Sequence, residues 1–333
     1  MKRTAQALFL SLLAVQVLVA GQGADAKRVL SELRAALGGE DKLSAVKTVS
    51  IEGQVSRPQP NGTSSSSSFE MAFELPDKFM KSDVFANLGG TDLKRRSGFN
   101  GTESFEEMDA PPMMGGGGGM HIMRMSPGGA TPGGQATPEQ VERQRAQNLS
   151  IARREFARLT VGMFGTSFSP LPLEFKYAGQ AESKDGKADV LELQGPDGFA
   201  AKLYVDGKTH LPLMLTWMDK EPLRITMGPG GGAMGGGNVQ VFSGGGGGAG
   251  AQRMTPEDAA RMQQEMADRM KEAQAKLRTV EYRTFYTDFK NVSGVNLPTK
   301  IQNMMEGLPT AEMSFEKIKV NGKIDANKFK VVK

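Results

Sequence analysis

Apolar residues recur at every second position along two neighbouring segments, 199–205 and 211–217. This period of two predicts two β-strands, and the Asp-Gly at the start of the connection 206–210 predicts a turn between them. The alternate positions also carry large side chains, Tyr204 and Met214 among them. A hairpin that is apolar on both faces needs a cover on each, so we expect the rest of the chain to supply covering layers.

The same alternation fills most of 48–108 and 173–329, in short segments separated by turn residues. Asn100-Gly101 is the strongest of these turn signals, and Ser293-Gly294 is another. Because short turns join neighbouring strands in antiparallel order, the segments predict an antiparallel sheet of about ten or eleven strands. Since helices are also predicted, the expected fold class is α+β.

A helical period replaces the alternation in three places. Apolar residues spaced three and four apart predict amphipathic helices over 138–160 and 255–278, and a shorter helix over 25–37. The two long helices begin with Thr-Pro-Glu, at Thr137 and Thr255. Threonine favours the N-cap, proline the first helical position and an acid the first turn, so both starting points are well defined.

Two glycine-rich tracts, 109–136 and 228–252, lie directly before the long helices. Neither tract carries enough apolar side chains to build a core, so we predict a single domain over 27–333 that the tracts interrupt. Two interpretations of the helices stay open. Either they are hinged covers for one sheet face, or they are permanently docked and the tracts are passive spacers.

The first 26 residues predict a secretory signal peptide, because Lys2 and Arg3 precede an apolar run and Ala24-Asp25-Ala26 follows it as a cleavage motif. We therefore expect an exported, soluble protein. The sequence contains no cysteine, and Gln22 stands where a lipoprotein would carry its acylated cysteine. Neither disulfides nor lipidation are expected, and no later apolar run reaches the roughly 18 residues of a transmembrane helix.

The charge balance and the few histidines argue against several classes of function. Lys and Arg total 41 against 37 for Asp and Glu, and no basic patch is interleaved with aromatics, so no nucleic-acid partner is expected. The only histidines are His121, in the first glycine tract, and His210, in the hairpin connection, so no paired-histidine metal site with helical or strand spacing is possible. With histidines in such places and no cysteine, a nucleophilic triad is not expected. We therefore predict no catalytic residues and no cofactor; a carboxylate-dependent hydrolase is a distant alternative.

One metal alternative comes from the first glycine tract. Met120, His121 and Met123 place soft thioethers and an imidazole together, which is a ligand set that favours Cu(I). The simpler interpretation is that methionine, with 21 copies in the chain, fills irregular contacts. We expect no metal site here.

Three motifs carry a family resemblance. They are Asp-Gly-Lys-Thr-His-Leu-Pro within the hairpin 203–215, Tyr-Thr-Asp-Phe-Lys-Asn-Val-Ser-Gly-Val-Asn-Leu-Pro over 286–298, and Ile-Lys-Val-Asn-Gly-Lys-Ile-Asp-Ala-Asn-Lys-Phe over 318–329. Together they resemble the periplasmic lipoprotein-carrier superfamily, the outer-membrane lipoprotein-sorting proteins of the LolA and LolB type. The resemblance covers about half of the chain that would remain after signal cleavage.

The resemblance implies an unclosed antiparallel β-barrel, with helices covering its concave face and an apolar cavity between them. It implies a periplasmic binding protein rather than an enzyme. Lipid or lipoprotein acyl chains would be the ligand, and another cell-envelope protein would be a further partner.

The candidate cavity residues are apolar side chains of the hairpin, of the second long helix and of the strand that follows it: Leu203, Leu213, Leu215, Trp217, Met266, Met270, Tyr282 and Phe285. The same residues could equally form plain core, because alternation does not distinguish a cavity wall from a packed interior. The alternative function is therefore an envelope interaction or stress-sensor module with a filled core and no ligand.

Overall fold

The computed structural model describes residues 23, 25–59, 61–86, 92–109, 138–166, 168–183, 186–222, 225–229, 239–243 and 256–330. Most of the predicted signal peptide and of the first glycine tract lies outside the described residues. Met120, His121 and Met123 also lie outside them, so the copper alternative stays untested.

The structure describes four helices, and those that the sequence predicts begin close to the expected positions. They are α1 (25–36), α2 (Glu40–Ser44), α3 (Pro138–Phe164) and α4 (Pro256–Ala275). Both long helices begin at the proline of their Thr-Pro-Glu sequence, as predicted. α3 continues four residues beyond the predicted end, whereas α4 ends three residues before it.

Fourteen strands are described along the chain. They are β1 (Thr48–Pro58), β2 (Ser64–Glu74), β3 (Lys78–Ala86), β4 (Asp92–Asn100), β5 (Glu103–Asp109), β6 (Glu174–Ser183), β7 (Gly186–Gln194), β8 (Ala200–Asp206), β9 (Pro212–Lys220), β10 (Ile225–Pro229), β11 (Val239–Ser243), β12 (Thr279–Val292), β13 (Val295–Met305) and β14 (Leu308–Val320).

Twelve of the strands form one open antiparallel sheet in the order β5-β4-β3-β2-β1-β14-β13-β12-β9-β8-β7-β6. The predicted α+β class and antiparallel arrangement are confirmed, with twelve strands in this sheet rather than ten or eleven. β5 and β6 follow one another in the chain but are the two edge strands. The connection between them, which contains α3, must therefore pass from one edge of the sheet to the other.

The chain forms two compact units. The first comprises the described residues of Met1–Arg124, Glu142–Trp217 and Tyr282–Lys333, and the second those of Met125–Val141 and Met218–Glu281. The core of the first unit includes α1, whose Leu33 and Leu37 are fully buried. A Cβ added at Gly165, at the end of α3, would lie 2.9 Å from Leu33 Cδ2, so α1 and α3 pack in close contact.

The second unit contains α4 and a two-stranded sheet in which β10 pairs with β11 in parallel. β11 lies inside the glycine tract 228–252, which we expected to lack such structure. The segment holds Val239, Val241 and Phe242, and β-branched and aromatic side chains favour strands even between glycines. β10 lies within the alternating region 173–329 but pairs in this small sheet rather than in the large one.

The two ends of the long insertion between β9 and β12 are joined to each other. The Glu221 backbone N–H donates to the Arg278 carbonyl at 2.9 Å, and the Arg278 N–H donates to Glu221 Oε1 at 3.1 Å. Lys220 Nζ also donates to the Leu277 carbonyl at 2.9 Å. The insertion thus begins and ends at residues that contact each other, and the strands before and after it, β9 and β12, are neighbours in the large sheet.

Candidate functional site

The C-terminal part of α3 is buried on all sides, since every residue from 160 to 164 is buried. Gly162 makes its closest approach possible. A Cβ at this position would lie 1.9 Å from the hydroxyl oxygen of Tyr286 on β12, so only glycine allows the helix backbone to rest on this ring. Burial raises the pKa of Tyr286 well above its usual range, because the phenolate would lose its hydration.

Aromatic rings fill the space between α3 and strands β2–β4. The Phe156 ring centroid lies 5.4 Å from that of Phe73, 4.9 Å from that of Phe79 and 5.6 Å from that of Phe99. All four side chains are buried, at 3% exposure or less. This part of the interior is packed core, because edge-to-face and stacked contacts at such distances leave no gap between the rings.

Polar contacts also hold α3 to distant parts of the chain. Arg153 Nη2 donates to the Gly101 carbonyl in the β4–β5 turn at 3.1 Å. Ser150 Oγ donates to Asp197 Oδ2, in the connection between β7 and β8, at 2.8 Å. α3 is therefore fastened near both edges of the sheet, which favours the docked-helix interpretation over the hinged cover for this helix.

A third attachment is the ion pair between Lys81 on β3 and Glu155 on α3, with Nζ 3.2 Å from Oε1. The Lys81 ammonium lowers the pKa of the Glu155 carboxyl, and the carboxylate in turn raises the pKa of Lys81. The side chains are 29% and 55% exposed, so water screens this attraction.

An arginine–aromatic site lies where α3 meets the other half of the sheet. Trp217 on β9 and Tyr282 on β12 stack with centroids 5.4 Å apart and an angle of 8° between their planes. The Arg158 guanidinium carbon lies 4.8 Å from the Trp217 ring centroid and 5.6 Å from that of Phe199. We call these four residues the Arg158 site. Phe199 is buried, whereas Trp217 and Tyr282 are half-buried.

The Arg158 site combines two kinds of recognition chemistry. Stacked ring faces offer flat apolar surface on which hydrocarbon can pack. A guanidinium held over an aromatic ring gains cation–π attraction, and its planar set of N–H donors matches a carboxylate or phosphate. The arrangement therefore suits an apolar or amphipathic ligand.

Two of the predicted cavity residues belong to packed core. Leu203 on β8 is directly opposite Leu215 on β9 and Leu191 on β7, and all three are at most 1% exposed. Leu213 differs from the sequence pattern, which placed it on the same face as Leu215. A β-bulge shifts the register so that Tyr204 pairs with Met214 but Val205 with Pro212, which leaves Leu213 39% exposed.

The other predicted residues are placed as follows. Trp217 and Tyr282 come together, whereas Phe285 is separated from Tyr282 by an odd number of strand positions. Since successive side chains alternate between faces, Phe285 lies on the opposite face of β12. Met266 and Met270 fall within α4, and their side chains lie outside the described residues.

Arg158 was not among the residues predicted from the sequence, although the sequence carries a signal for it. Within 156–164, Phe-Ala-Arg-Leu-Thr-Val-Gly-Met-Phe, Arg158 is the only charged residue. A lone charge in an otherwise apolar helical segment predicts a side chain directed at a specific partner.

The described residues show no arrangement typical of a metal centre, since they contain no group of three or more His, Cys, Asp or Glu that could hold an ion. His210 lies in the β8–β9 connection with Nδ1 3.6 Å from Glu32 Oε2. Asp206 organises this connection by accepting N–H donation from Lys208 at 3.0 Å and from Thr209 at 2.6 Å. Of the helices that the structure describes, none has the length and apolar character to span a membrane.

No family model and no curated protein matches the chain. Among solved structures it is similar to a LolA superfamily protein from Nitrosomonas europaea, with 10% identity, a TM-score of 0.44 and coverage of 92% of this chain and 97% of that one. A candidate outer membrane lipoprotein-sorting protein domain from Vibrio parahaemolyticus gives 8% identity, a TM-score of 0.44 and coverage of 92% and 96%. A DUF1329 family protein from Desulfovibrio piger gives 10% identity and a TM-score of 0.39, with coverage of 92% of this chain and 97% of that one. The superfamily that the sequence motifs resemble is thus among the structures found.

Proposed function

We propose that this is an exported, periplasmic, non-enzymatic binding protein that accommodates lipid or lipoprotein acyl chains, or another apolar ligand, at the Arg158 site. The observation that carries the proposal is the stacked pair of Trp217 and Tyr282. These rings lie on the sheet face against which α3 packs, and yet they stay half-buried while the neighbouring leucines are fully buried.

The free energy for binding comes from removing apolar surface from water, at about 25 cal/mol per Å². The ligand would bind at the part of the face that β9 and β12 form, because the phenylalanine cluster already occupies the part over β2–β4. An acyl chain would lie along the ring faces, with its polar head near the Arg158 guanidinium.

The second candidate is an envelope interaction or stress-sensor module that binds no ligand. The packing of Phe156 among three rings and the polar contacts of α3 favour it, since they show a helix that belongs to the core. The two functions differ in one measurable respect, the capture of lipid.

The test is native mass spectrometry after mild extraction, together with titration of a fluorescent fatty acid. We expect co-purified lipid, and at least a tenfold loss of fatty-acid affinity in Trp217→Ala. Leu308→Ala is the matched control, because Leu308 is an apolar side chain that is 69% exposed at the start of β14, and the variant should bind as the wild type does. Lipid-free protein that also fails to bind the fatty acid would establish the filled-core module instead.

A further inference from the structure

A short segment covers the face of the sheet opposite α3. Residues 325–330, here called the closing segment, form one turn of 3₁₀-helix, Ala326–Phe329, that Asp325 caps by accepting the Asn327 N–H at 2.9 Å. Along β2 and β3, successive side chains point to opposite faces of the sheet. The closing segment contacts those on the face opposite to α3. It therefore lies on a face that the proposed ligand does not use.

The closing segment inserts one aromatic side chain into a small apolar pocket. Phe329 is 1% exposed and packs with Ala72, Met80 and Phe105, which form a hydrophobic cluster separate from the main core. Residues of β2, β3 and β5 line the pocket, and the partly buried Ile324 packs against it as well. It selects for an aromatic or large apolar side chain.

Polar groups on the sheet bind the backbone of the same segment. Arg96 on β4 donates to the carbonyls of Asn327 at 3.3 Å, Lys328 at 2.8 Å and Lys330 at 2.8 Å. Asn100 Nδ2 donates to the carbonyl of Phe329 at 3.1 Å. Four consecutive carbonyls are therefore recognised, while Lys328 forms an ion pair with Glu70 on β2.

Arg96 is also held by groups of the sheet itself. Arg96 donates to Glu107 Oε2 from Nε at 3.0 Å and from Nη2 at 2.8 Å, and its guanidinium lies 4.7 Å above the Phe105 ring. All of these groups belong to β4 and β5. A carbonyl-binding guanidinium that the sheet itself holds in place has little conformational entropy left to lose on binding a peptide.

We infer that this face is a preformed peptide-recognition site, occupied in cis by residues 325–330, and that it binds the same segment in trans. The ligand class is a short peptide that forms one turn of 3₁₀-helix and carries a phenylalanine directly after a lysine. Phe329 occupies the pocket, Arg96 and Asn100 bind the backbone, and Glu70 binds the lysine.

The experiment uses the full chain with a protease site inserted between Gly322 and Lys323, cut after folding. The probe is a fluorescent peptide with the sequence of residues 324–331, followed by anisotropy and native mass spectrometry. We expect the cut segment to exchange with the probe, and the uncut chain to bind the probe at least tenfold more weakly because the tethered segment competes.

Two controls identify the contacts. A probe with alanine in place of phenylalanine should bind at least tenfold more weakly to the cut chain. Arg96→Lys in the cut chain should reduce binding similarly, because an ammonium does not span several carbonyls as the guanidinium does. Loss of the cut segment without any probe binding would overturn the inference, as would unfolding of the sheet on cleavage.

Discussion

The contact between Gly162 and Tyr286 shows how a single residue sets the distance between helix and sheet. The ring hydroxyl lies where any Cβ on Gly162 would be, and both residues are buried. Glycine costs about 0.5–1 kcal/mol relative to alanine inside a helix, so its presence here is explained by the close approach rather than by helix propensity.

We expect Gly162→Ala to lower the free energy of unfolding by about 1–3 kcal/mol, because overpacking outweighs the gain in helix propensity. Urea denaturation measures this change. In a Tyr286→Leu background, which removes the ring, the same substitution should lower the free energy of unfolding by clearly less. Wild-type stability in Gly162→Ala would contradict the close contact.

At the scale of elements, α3 is the part of the chain whose role changes most between sequence and structure. Its sequence predicts an amphipathic cover with one apolar face, whereas its C-terminal residues are buried on all sides. The reason is topological, since the chain between the edge strands β5 and β6 must cross the sheet. Helix α1 then covers the side of α3 near Gly165.

The ion pair between Lys81 and Glu155 predicts a pH dependence of α3 docking. Because Lys81 lowers the pKa of Glu155 in the folded state, the pair contributes stability above the carboxyl's unfolded pKa of about 4.3 and loses it as the pH falls through the folded value. The stability difference between wild type and Lys81→Met should be below about 1 kcal/mol at pH 7, since the pair is partly exposed, and should shrink towards pH 3.

Urea denaturation at the two pH values measures this difference. Lys317→Met is the matched control, because Lys317 pairs with Glu52 at 3.3 Å with both side chains 52% exposed. Its effect should be smaller than that of Lys81→Met at pH 7. A Lys81→Met effect that stays constant with pH would contradict the assignment to Glu155.

At the scale of the whole molecule, the insertion between β9 and β12 is closed at its base by Glu221 and Arg278. Strands β9 and β12 are neighbours in the sheet. A short turn is therefore sufficient to connect them, and the residues between are not needed to bring them together.

We expect the chain in which an Asn-Gly turn replaces 222–277 to fold and to unfold cooperatively. Circular dichroism and urea denaturation measure both properties. Phe156→Ala provides the contrast, because removing a ring from the packed cluster should cost about 3–5 kcal/mol. A replacement chain that is unfolded, or that has lost cooperativity, would show that the insertion is required by the sheet.

Local chemistry explains which elements could be predicted. The Asp206 turn, the Asn100-Gly101 turn and the Thr-Pro-Glu helix starts each depend on residues within a few positions of one another. The β-bulge at Leu213 could not be predicted, because a register shift depends on the partner strand. The stacking of Trp217 on Tyr282 could not be predicted either, because 58 residues separate the end of β9 from the start of β12 in the sequence.

The sequence by itself determined the α+β class, most strands and turns, and the starts of the long helices, since alternation, capping and turn preferences act over short distances. Only the tertiary structure decided that β1 pairs with β14, that β12 lies beside β9, and that α3 crosses between the sheet edges. These arrangements depend on which apolar faces bury one another across hundreds of residues. The same long-range packing brings Arg158, Trp217 and Tyr282 together beside Leu203 and Leu215, which belong to the core.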